Sequence, residues 1–100
     1  MTNEITKGAK EAIKGHAQFQ AQEAFFGKPL DTIEYGEKDA NGGVEVKATI
    51  TTKNGVVEAA VKINADILAK AENEITTRVF VSDQITSAMN RELMRQLLDV

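Results

Sequence analysis

Hydrophobic and polar residues alternate strictly along two adjacent stretches in the middle of the chain. The stretch VEVKATITTK covers residues 44–53, VVEAAVKINA covers residues 56–65, and Asn54-Gly55 stands between them. Alternation with a period of two is typical of a strand with one buried face, and Asn-Gly is the strongest short signal for a hairpin turn. The pattern therefore predicts an antiparallel β-hairpin centred on Asn54-Gly55.

A two-residue turn at Asn54-Gly55 also predicts the register of this hairpin, because it pairs Lys53 with Val56. The apolar pairs that follow, all on one face, are Ile50 with Ala59, Ala48 with Val61, and Val46 with Ile63. One buried face is what a hairpin packed on a core requires. The opposite face, which we expect to be solvated, carries Glu45, Lys47, Thr49, Thr51, Glu58 and Lys62.

Apolar residues at helical spacing predict an amphipathic helix over residues 3–26, before the hairpin. Thr2 or Asn3 can supply its N-cap, while Gly27 and Pro29 form a stop signal. At about 100° per residue, one face collects Ile5, Ala9, Ala12, Ile13, His16 and Phe19.

Two glycines lie at the edge of this apolar face, Gly8 and Gly15. Glycine lowers the stability of a helix interior, so its presence needs a compensating reason. We interpret both glycines as sites where another element approaches the helix closely.

The remaining segments complete an α+β pattern. Residues 31–38 predict a weaker strand, residues 64–73 a short helix or an irregular connector, and residues 74–82 a further strand. The core face of that last strand would carry Ile75, Val79 and Val81. The expected fold is an antiparallel sheet of three to four strands with the Asn-Gly hairpin at its centre, flanked by N-terminal and C-terminal amphipathic helices.

The C-terminal segment predicts a helix capped by Ser82 or Asp83. Its core stripe would contain Ile85, Met89, Leu93 and Leu97. Met94 and Leu98 form a second apolar pair, more than 100° around the helix from the start of that stripe. A helix that is apolar on two sides has two partners, which are either more of the core or an interaction surface.

Length and composition indicate one domain over residues 1–100 with a modest core. Apolar residues make up 42% of the chain and charged residues 27%, but only 5% are aromatic and none is Trp. A thin core of this kind gains stability from a partner or from a second copy. We therefore expect a homo-oligomer.

The charge is mixed and slightly acidic, with a net charge of −3. This balance differs from a basic nucleic-acid arm or an acidic tail. The chain has no Cys, so thiolate metal sites and disulfides are excluded, and we expect no cofactor or metal. It shows no apolar run of a signal peptide or membrane span, so the expected location is the cytoplasm.

The single histidine, His16, lies near Gln20 and Glu23. A histidine beside a carboxylate can act as a general base, but seven residues of helix separate His16 from Glu23 by roughly 10 Å. We prefer a partly buried structural histidine, hydrogen-bonded to the backbone or to Gln20. The alternatives are a polar patch at an interface and, least favoured, a catalytic residue.

The loop over residues 37–45 resembles a calcium-binding loop only in part. Matches to positions one, three, five, six and nine are Glu37, Asp39, Asn41, Gly42 and Glu45. Position twelve should be a bidentate glutamate, but it is Ala48, and the flanks are predicted strands rather than helices. We interpret the loop as a polar hairpin turn in which Asn and Gly supply positive φ angles.

Three lysines, Lys7, Lys10 and Lys14, form a stripe on the face of the first helix opposite its apolar side. Such a stripe can contact phosphates, but Glu4 and Glu11 interrupt it, and no aromatic residue stands among the lysines for base stacking. A solvated face is the preferred interpretation, with weak nucleic-acid binding as the alternative.

The sequence contains none of the common nucleotide-binding, zinc-protease or serine-hydrolase motifs. We therefore expect no catalytic residues and a protein-interaction module that occupies the surface of a partner protein. Small acidic domains of this type are common among inhibitors, adaptors and accessory proteins of phages and other mobile elements. The alternative is a structural assembly subunit, such as a virion or scaffold component.

The expected partner-binding residues are apolar groups that point away from the predicted core faces, bordered by polar side chains on the first helix. The apolar residues are Phe25, Phe80, Met94 and Leu98, and the polar residues are His16, Gln20 and Glu23. Exposed apolar groups mark an interaction site when they cluster.

Overall fold

The computed structural model describes residues 5–25 and 27–98, without the side chains of residues 97 and 98. In chain order the elements are α1 (Lys7–Ala24), β1 (Thr32–Lys38), β2 (Gly43–Thr52), β3 (Gly55–Asn64), α2 (Ala65–Lys70) and α3 (Ile75–Leu98). The three strands form one antiparallel sheet in the order β1-β2-β3. The predicted α+β class is confirmed, with three strands in the described residues.

The core lies between one face of the sheet and the helices. The sheet contributes Val44, Val46, Ala48, Ile50, Val57, Ala59 and Ile63, all buried. Helix α3 packs against β3, and α1 packs against α3. The strict alternation in the sequence therefore identified the buried face correctly, because every one of these residues has the same parity within its strand.

The predicted hairpin forms, but its register differs from the prediction by two residues. Thr52 pairs with Gly55, so Lys53 and Asn54 occupy the two loop positions and Gly55 is the first residue of β3. The Thr52 hydroxyl closes this turn, because it accepts the N–H of Asn54 and donates to the carbonyl of Gly55. Gly55 has a φ of 120°, which favours glycine at this position.

A shift of two residues leaves every side chain on its predicted face. The observed inward pairs are Ile50 with Val57, Ala48 with Ala59, Val46 with Val61, and Val44 with Ile63. The prediction of pairing partners was wrong, whereas the prediction of the buried and solvated faces was confirmed.

Helix α1 begins after Thr6, whose side chain accepts the N–H of Ala9. The cap predicted at Thr2 or Asn3 lies outside the described residues. The buried face of α1 consists of Ala9, Ile13, Ala17 and Ala21. Phe19, predicted on this face, is 60% exposed, because the contact with the core follows a spacing of four residues and leaves Phe19 off that line.

Helices α1 and α3 run in the same direction. The Thr6 hydroxyl donates to Glu72 just before α3, and the Thr86 hydroxyl of α3 donates to the Gln20 side chain at 3.2 Å. Both contacts join residues 66 positions apart, so the offset between the two helices is constant. Ala24, the last residue of α1, is therefore level with position 90, and the last two turns of α3 extend past the end of α1.

The prediction of a strand over residues 74–82 is wrong, because residues 75–82 form the first two turns of α3. The predicted caps Ser82 and Asp83 lie inside the helix. Its core contacts follow a helical period through Val81, Ile85, Ala88 and Met89. The β-branched residues near its start favour a strand only weakly, and packing on the sheet and on α1 overrides this preference.

Two further predictions are confirmed. Residues 31–38 contain β1, whose pairing with β2 shifts between Tyr35 and Lys38. Residues 64–73 contain the short helix α2 rather than an irregular connector. The Asn64 side chain caps α2 by accepting the N–H of Asp66.

Candidate interaction surfaces

A groove between α2 and α3, hereafter the Phe80 groove, contains Phe80, which is one of the predicted partner-binding residues and lies at the surface. Its volume is about 290 Å³, and it is lined by Ile67, Lys70, Glu74, Thr76, Thr77 and Phe80. Phe80 is 48% exposed, and Ile67 is half-buried against the core. An exposed aromatic ring beside a second apolar side chain, with polar residues around them, is typical of an interaction site.

Hydrogen bonds hold the Phe80 groove in shape. The Arg78 guanidinium donates to the carbonyls of Ala71 and Glu72, at 3.0 and 2.7 Å, and so joins the start of α3 to the end of α2. The Thr77 hydroxyl donates to the Glu74 carboxylate at 2.7 Å. These bonds hold the backbone between α2 and α3, from which Phe80 projects, and an ordered backbone reduces the entropy lost when a partner binds.

The second predicted apolar pair lies elsewhere on α3. Met94 is half-exposed, in the part of α3 that extends past α1, while the neighbouring Leu93 packs against the core. The side chain of Leu98 lies outside the described residues. Met94 lies fourteen positions after Phe80 on the same helix, or roughly 21 Å along the axis. Phe80 and Met94 thus belong to two separate surfaces rather than to one patch.

Phe25 is buried, at 7% exposed, so its prediction as a surface contact is wrong. The prediction took the core face to include Phe19, which leaves Phe25 on the opposite side of the helix. The observed core contacts follow a spacing of four residues up to Ala21, and Phe25 is the next position on this line. The Phe25 N–H still bonds to the carbonyl of Ala21, although α1 ends at Ala24.

The three predicted polar residues lie on α1 and do not border the Phe80 groove. His16 is half-buried, with its ring centroid 6.2 Å from that of Phe19, and Glu23 is exposed. Gln20 accepts from Thr86 of α3 and not from His16. Thr86 and Phe80 are about 120° apart around α3, so these polar residues flank a different side of the helix.

A second groove, hereafter the lysine groove, lies between α1 and β1 and has a volume of about 490 Å³. It is lined by Lys7, Lys10, Glu11, Lys14, Ile33, Glu34 and Tyr35. The Lys10 ammonium lies 5.3 Å from the centroid of the Tyr35 ring, within the range of a cation–π contact. The prediction that no aromatic residue lies among these lysines is therefore wrong, because the fold brings Tyr35 next to Lys10.

Sequence reasoning missed Tyr35 because 25 positions separate it from Lys10. The signal that could have found it is alternation within β1, which places Ile33 and Tyr35 on the inner side of the strand, where they pack against the core. The Tyr35 hydroxyl makes no hydrogen bond with the described residues. Burial raises the pKa of Tyr35 to about 12, so the ring stays neutral at ordinary pH.

The loop that resembled a calcium site is a hairpin turn organised by Asp39. Its carboxylate accepts the backbone N–H groups of Asn41 and Gly43, and it forms an ion pair with Lys62 at 2.9 Å. These bonds hold the pKa of Asp39 below its ordinary value and raise that of Lys62. Gly42 has a φ of 84°, which confirms the predicted positive φ for a glycine in this turn.

Within residues 5–25 and 27–98, no cluster of three or more His, Asp or Glu side chains could hold a metal ion. None of the helices in this part of the chain combines the length and the apolar character needed to cross a membrane. Comparison with known proteins yields no match: no family model, no curated protein and no solved structure is significantly similar to the chain.

Proposed function

We propose that this protein is a non-catalytic interaction module that binds another protein through the Phe80 groove, as an inhibitor or adaptor in the cytoplasm. The observation that carries this proposal is the placement of Phe80, which is half-exposed beside Ile67 at the junction of two helices. Aromatic residues at well-formed grooves are the type of residue that dominates binding energy at protein interfaces.

The groove also indicates the chemistry of the partner. Lys70 lies on the α2 side and Glu74 at the start of α3, so opposite charges flank the apolar centre. A complementary segment would insert one apolar side chain between Ile67 and Phe80. It would carry an acidic residue toward Lys70 and a basic residue toward Glu74, since charge complementarity sets orientation and specificity.

A matched pair of phenylalanine variants tests the proposal. Phe80→Ser removes the proposed contact, and Phe19→Ser removes an even more exposed ring on α1 that does not line the groove. A partner is first captured from nuclease-treated host lysate by the native protein, and its affinity for each purified variant is then measured. We expect Phe80→Ser to weaken binding about tenfold or more, as loss of an anchor residue does, and Phe19→Ser to bind normally.

Equal affinity of the native protein and Phe80→Ser would contradict the proposed site. Met94→Ser, alone and with Leu98→Ser, tests in the same way whether the end of α3 provides the contact instead. Recovery of the protein alone, in concentration-dependent assemblies, would favour the structural assembly subunit.

Nucleic-acid binding through the lysine groove is a second candidate, favoured by the Tyr35 ring beneath Lys10. Because Lys10 lies over the ring, a base would stack on Tyr35 only once this side chain moves aside, which leaves its ammonium to contact a phosphate. Glu11 and Glu34 also line this groove and weaken its attraction for anions. Nucleic-acid binding would therefore be weak and strongly dependent on salt.

Tyr35 supplies its own probe for this candidate, because it is the only Tyr in a chain without Trp. Titration with single-stranded oligonucleotides at low salt should change its fluorescence, and Lys10→Gln should reduce the response. An unchanged signal, together with no retention of labelled single- or double-stranded probes, would remove the candidate.

A further inference from the structure

The free edge of β3 is a long, regular strand edge with no partner among the described residues. The strand order leaves β3 outermost, and its register with β2 runs without a break from Gly55 to Asn64. It contains no proline and no bulge, which are common devices that protect an edge from pairing with another strand. The other edge, β1, carries a register irregularity between Tyr35 and Lys38.

The hairpin turn determines which backbone groups of β3 face outward. Thr52 and Gly55 flank a two-residue loop, so they form a hydrogen-bonded pair. Odd-numbered residues of β3 therefore bond to β2, and even-numbered residues direct their N–H and C=O groups to the free edge. The even-numbered residues at the middle of this edge are Glu58, Ala60 and Lys62, all exposed.

The charges on this edge are symmetric about Ala60. Glu58 lies two residues before it and Lys62 two residues after it. When a second β3 pairs antiparallel with its Ala60 opposite the first Ala60, each Glu58 faces a Lys62 of the other copy. On the inner side of the sheet, the same register places Val57 opposite Ile63 and Ala59 opposite Val61, so apolar residues also meet apolar residues.

From this pattern we propose that β3 pairs with β3 of a second copy of the chain, about a two-fold axis at Ala60, to form a continuous six-stranded sheet. Pairing at Ala60 uses outward backbone groups on both copies, which can exchange hydrogen bonds at Ala60 and between Glu58 and Lys62. Strand addition of this kind derives affinity from the main chain and register from the side chains. In the single chain the Lys62 side chain lies across Gly43 of β2 and forms an ion pair with Asp39. To pair with Glu58 of the second copy, its ammonium turns from Asp39 toward the free edge of β3.

Charge reversal tests this register directly. Glu58→Lys gives two copies that present Lys at both positions, and Lys62→Glu gives two copies that present Glu at both. Each variant alone replaces two attractive pairs with two repulsive ones, whereas a mixture of the two variants restores both attractive pairs in a heterodimer. Registers that place Glu58 opposite Glu58, or Lys62 opposite Lys62, are repulsive in the native chain. The combination of native association, loss in each variant and recovery in the mixture therefore distinguishes the proposed register from them.

Sedimentation velocity over two orders of magnitude in protein concentration would measure the assembly. The native chain should reach twice its monomer mass of 10.9 kDa. Each reversal alone should weaken the dimer about tenfold or more, and an equimolar mixture should recover it. Ala60→Pro should also prevent dimerisation while sparing the monomer, because the N–H that it removes faces the free edge.

Circular dichroism would verify that each variant is folded. Lys62→Glu also breaks the ion pair with Asp39, whereas Ala60→Pro and Glu58→Lys, each tested alone, leave that ion pair intact. A native chain that stays monomeric throughout would overturn the proposal. So would a dimer that is unaffected by these substitutions, or a mixture that does not associate. None of these variants alters the Phe80 groove, so the result is independent of the proposed function.

Discussion

Gln18 forms two hydrogen bonds with the backbone of Leu30. Its amide nitrogen donates to the Leu30 carbonyl and its amide oxygen accepts the Leu30 N–H, both at 2.7 Å. This one side chain thus ties the loop after α1 to the helix and satisfies both backbone groups of a buried residue. It also holds Leu30 in place next to Phe25 in the core.

Removing this side chain should destabilise the protein. Gln18→Ala leaves the N–H and C=O of Leu30 without these partners, and we expect a loss of about 2 kcal/mol in the free energy of unfolding. Gln22→Ala is the matched control, because Gln22 is exposed on the same helix and changes helix propensity equally. Urea unfolding followed by circular dichroism would measure both, and equal stabilities would show that the Leu30 contacts contribute nothing.

The two glycines of α1 should respond differently to substitution. A Cβ on Gly15 would have no neighbour within 4 Å, so Gly15→Ala should raise the free energy of unfolding by about 1 kcal/mol through helix propensity. A Cβ on Gly8 would overlap the Glu72 carboxylate, which accepts from Thr6. Gly8→Ala should therefore gain little or lose stability.

Thermal unfolding of the two alanine variants would measure this difference. In a Glu72→Ala background the overlap is gone, so Gly8→Ala should regain most of the helix-propensity effect, as a double-mutant cycle would show. The prediction fails if Gly8→Ala and Gly15→Ala stabilise the native chain to the same extent. The sequence-based interpretation of close approach is correct for Gly8 and wrong for Gly15.

Ser82 should be replaceable by alanine with a gain in stability. It is fully buried, and its hydroxyl makes no hydrogen bond with the described residues. Ser82→Ala removes a desolvated polar group and improves helix propensity, so we expect a gain of about 1 kcal/mol or more. Ser87→Ala, at an exposed position on the same helix, isolates the propensity effect. A smaller gain at Ser82 than at Ser87 would indicate that its hydroxyl has a partner.

The sequence predicted the sheet better than it predicted the helices. Alternation identified the buried faces of β2 and β3, because a strand with one solvated face must place apolar residues at every second position. It could not identify pairing partners, since a shift of two residues keeps both faces. The two hydrogen bonds of the Thr52 hydroxyl favour the observed register, and the alternation of apolar residues does not reveal them.

The errors at Phe25 and over residues 74–82 arise from tertiary contacts. Phe25 is buried because the core contacts of α1 follow a spacing of four residues through Ala21, and the prediction placed the core face elsewhere, through Phe19. The residues at the start of α3 are mostly exposed or half-buried, and its helical packing on the core begins at Val81. The lysine groove likewise depends on β1 lying beside α1, which brings Tyr35 to Lys10 across 25 positions. The sequence predicted that Phe80 is exposed, although it placed Phe80 on a strand instead of a helix. It did not predict the apolar neighbour Ile67 as part of the same surface.

Stability at alkaline pH should depend on Tyr35. Burial disfavours its phenolate, so its pKa is about 12 in the folded chain and near the ordinary value of 10.0 in the unfolded chain. The unfolded chain therefore releases this proton first as the pH rises. The contribution of Tyr35 to stability is complete below pH 10.0 and is lost progressively as the pH rises toward about 12.

The near-ultraviolet absorbance of the phenolate measures this titration directly, since the chain has one Tyr and no Trp. The native protein should titrate near 12, and the same protein in denaturant should titrate near 10.0. Tyr35→Phe should lose less stability than the native protein over this pH interval, and the difference between the two proteins isolates the contribution of Tyr35. If the phenolate of the folded protein titrates with a midpoint near 10.0, the Tyr35 hydroxyl is accessible to water and its burial beside Lys10 is contradicted.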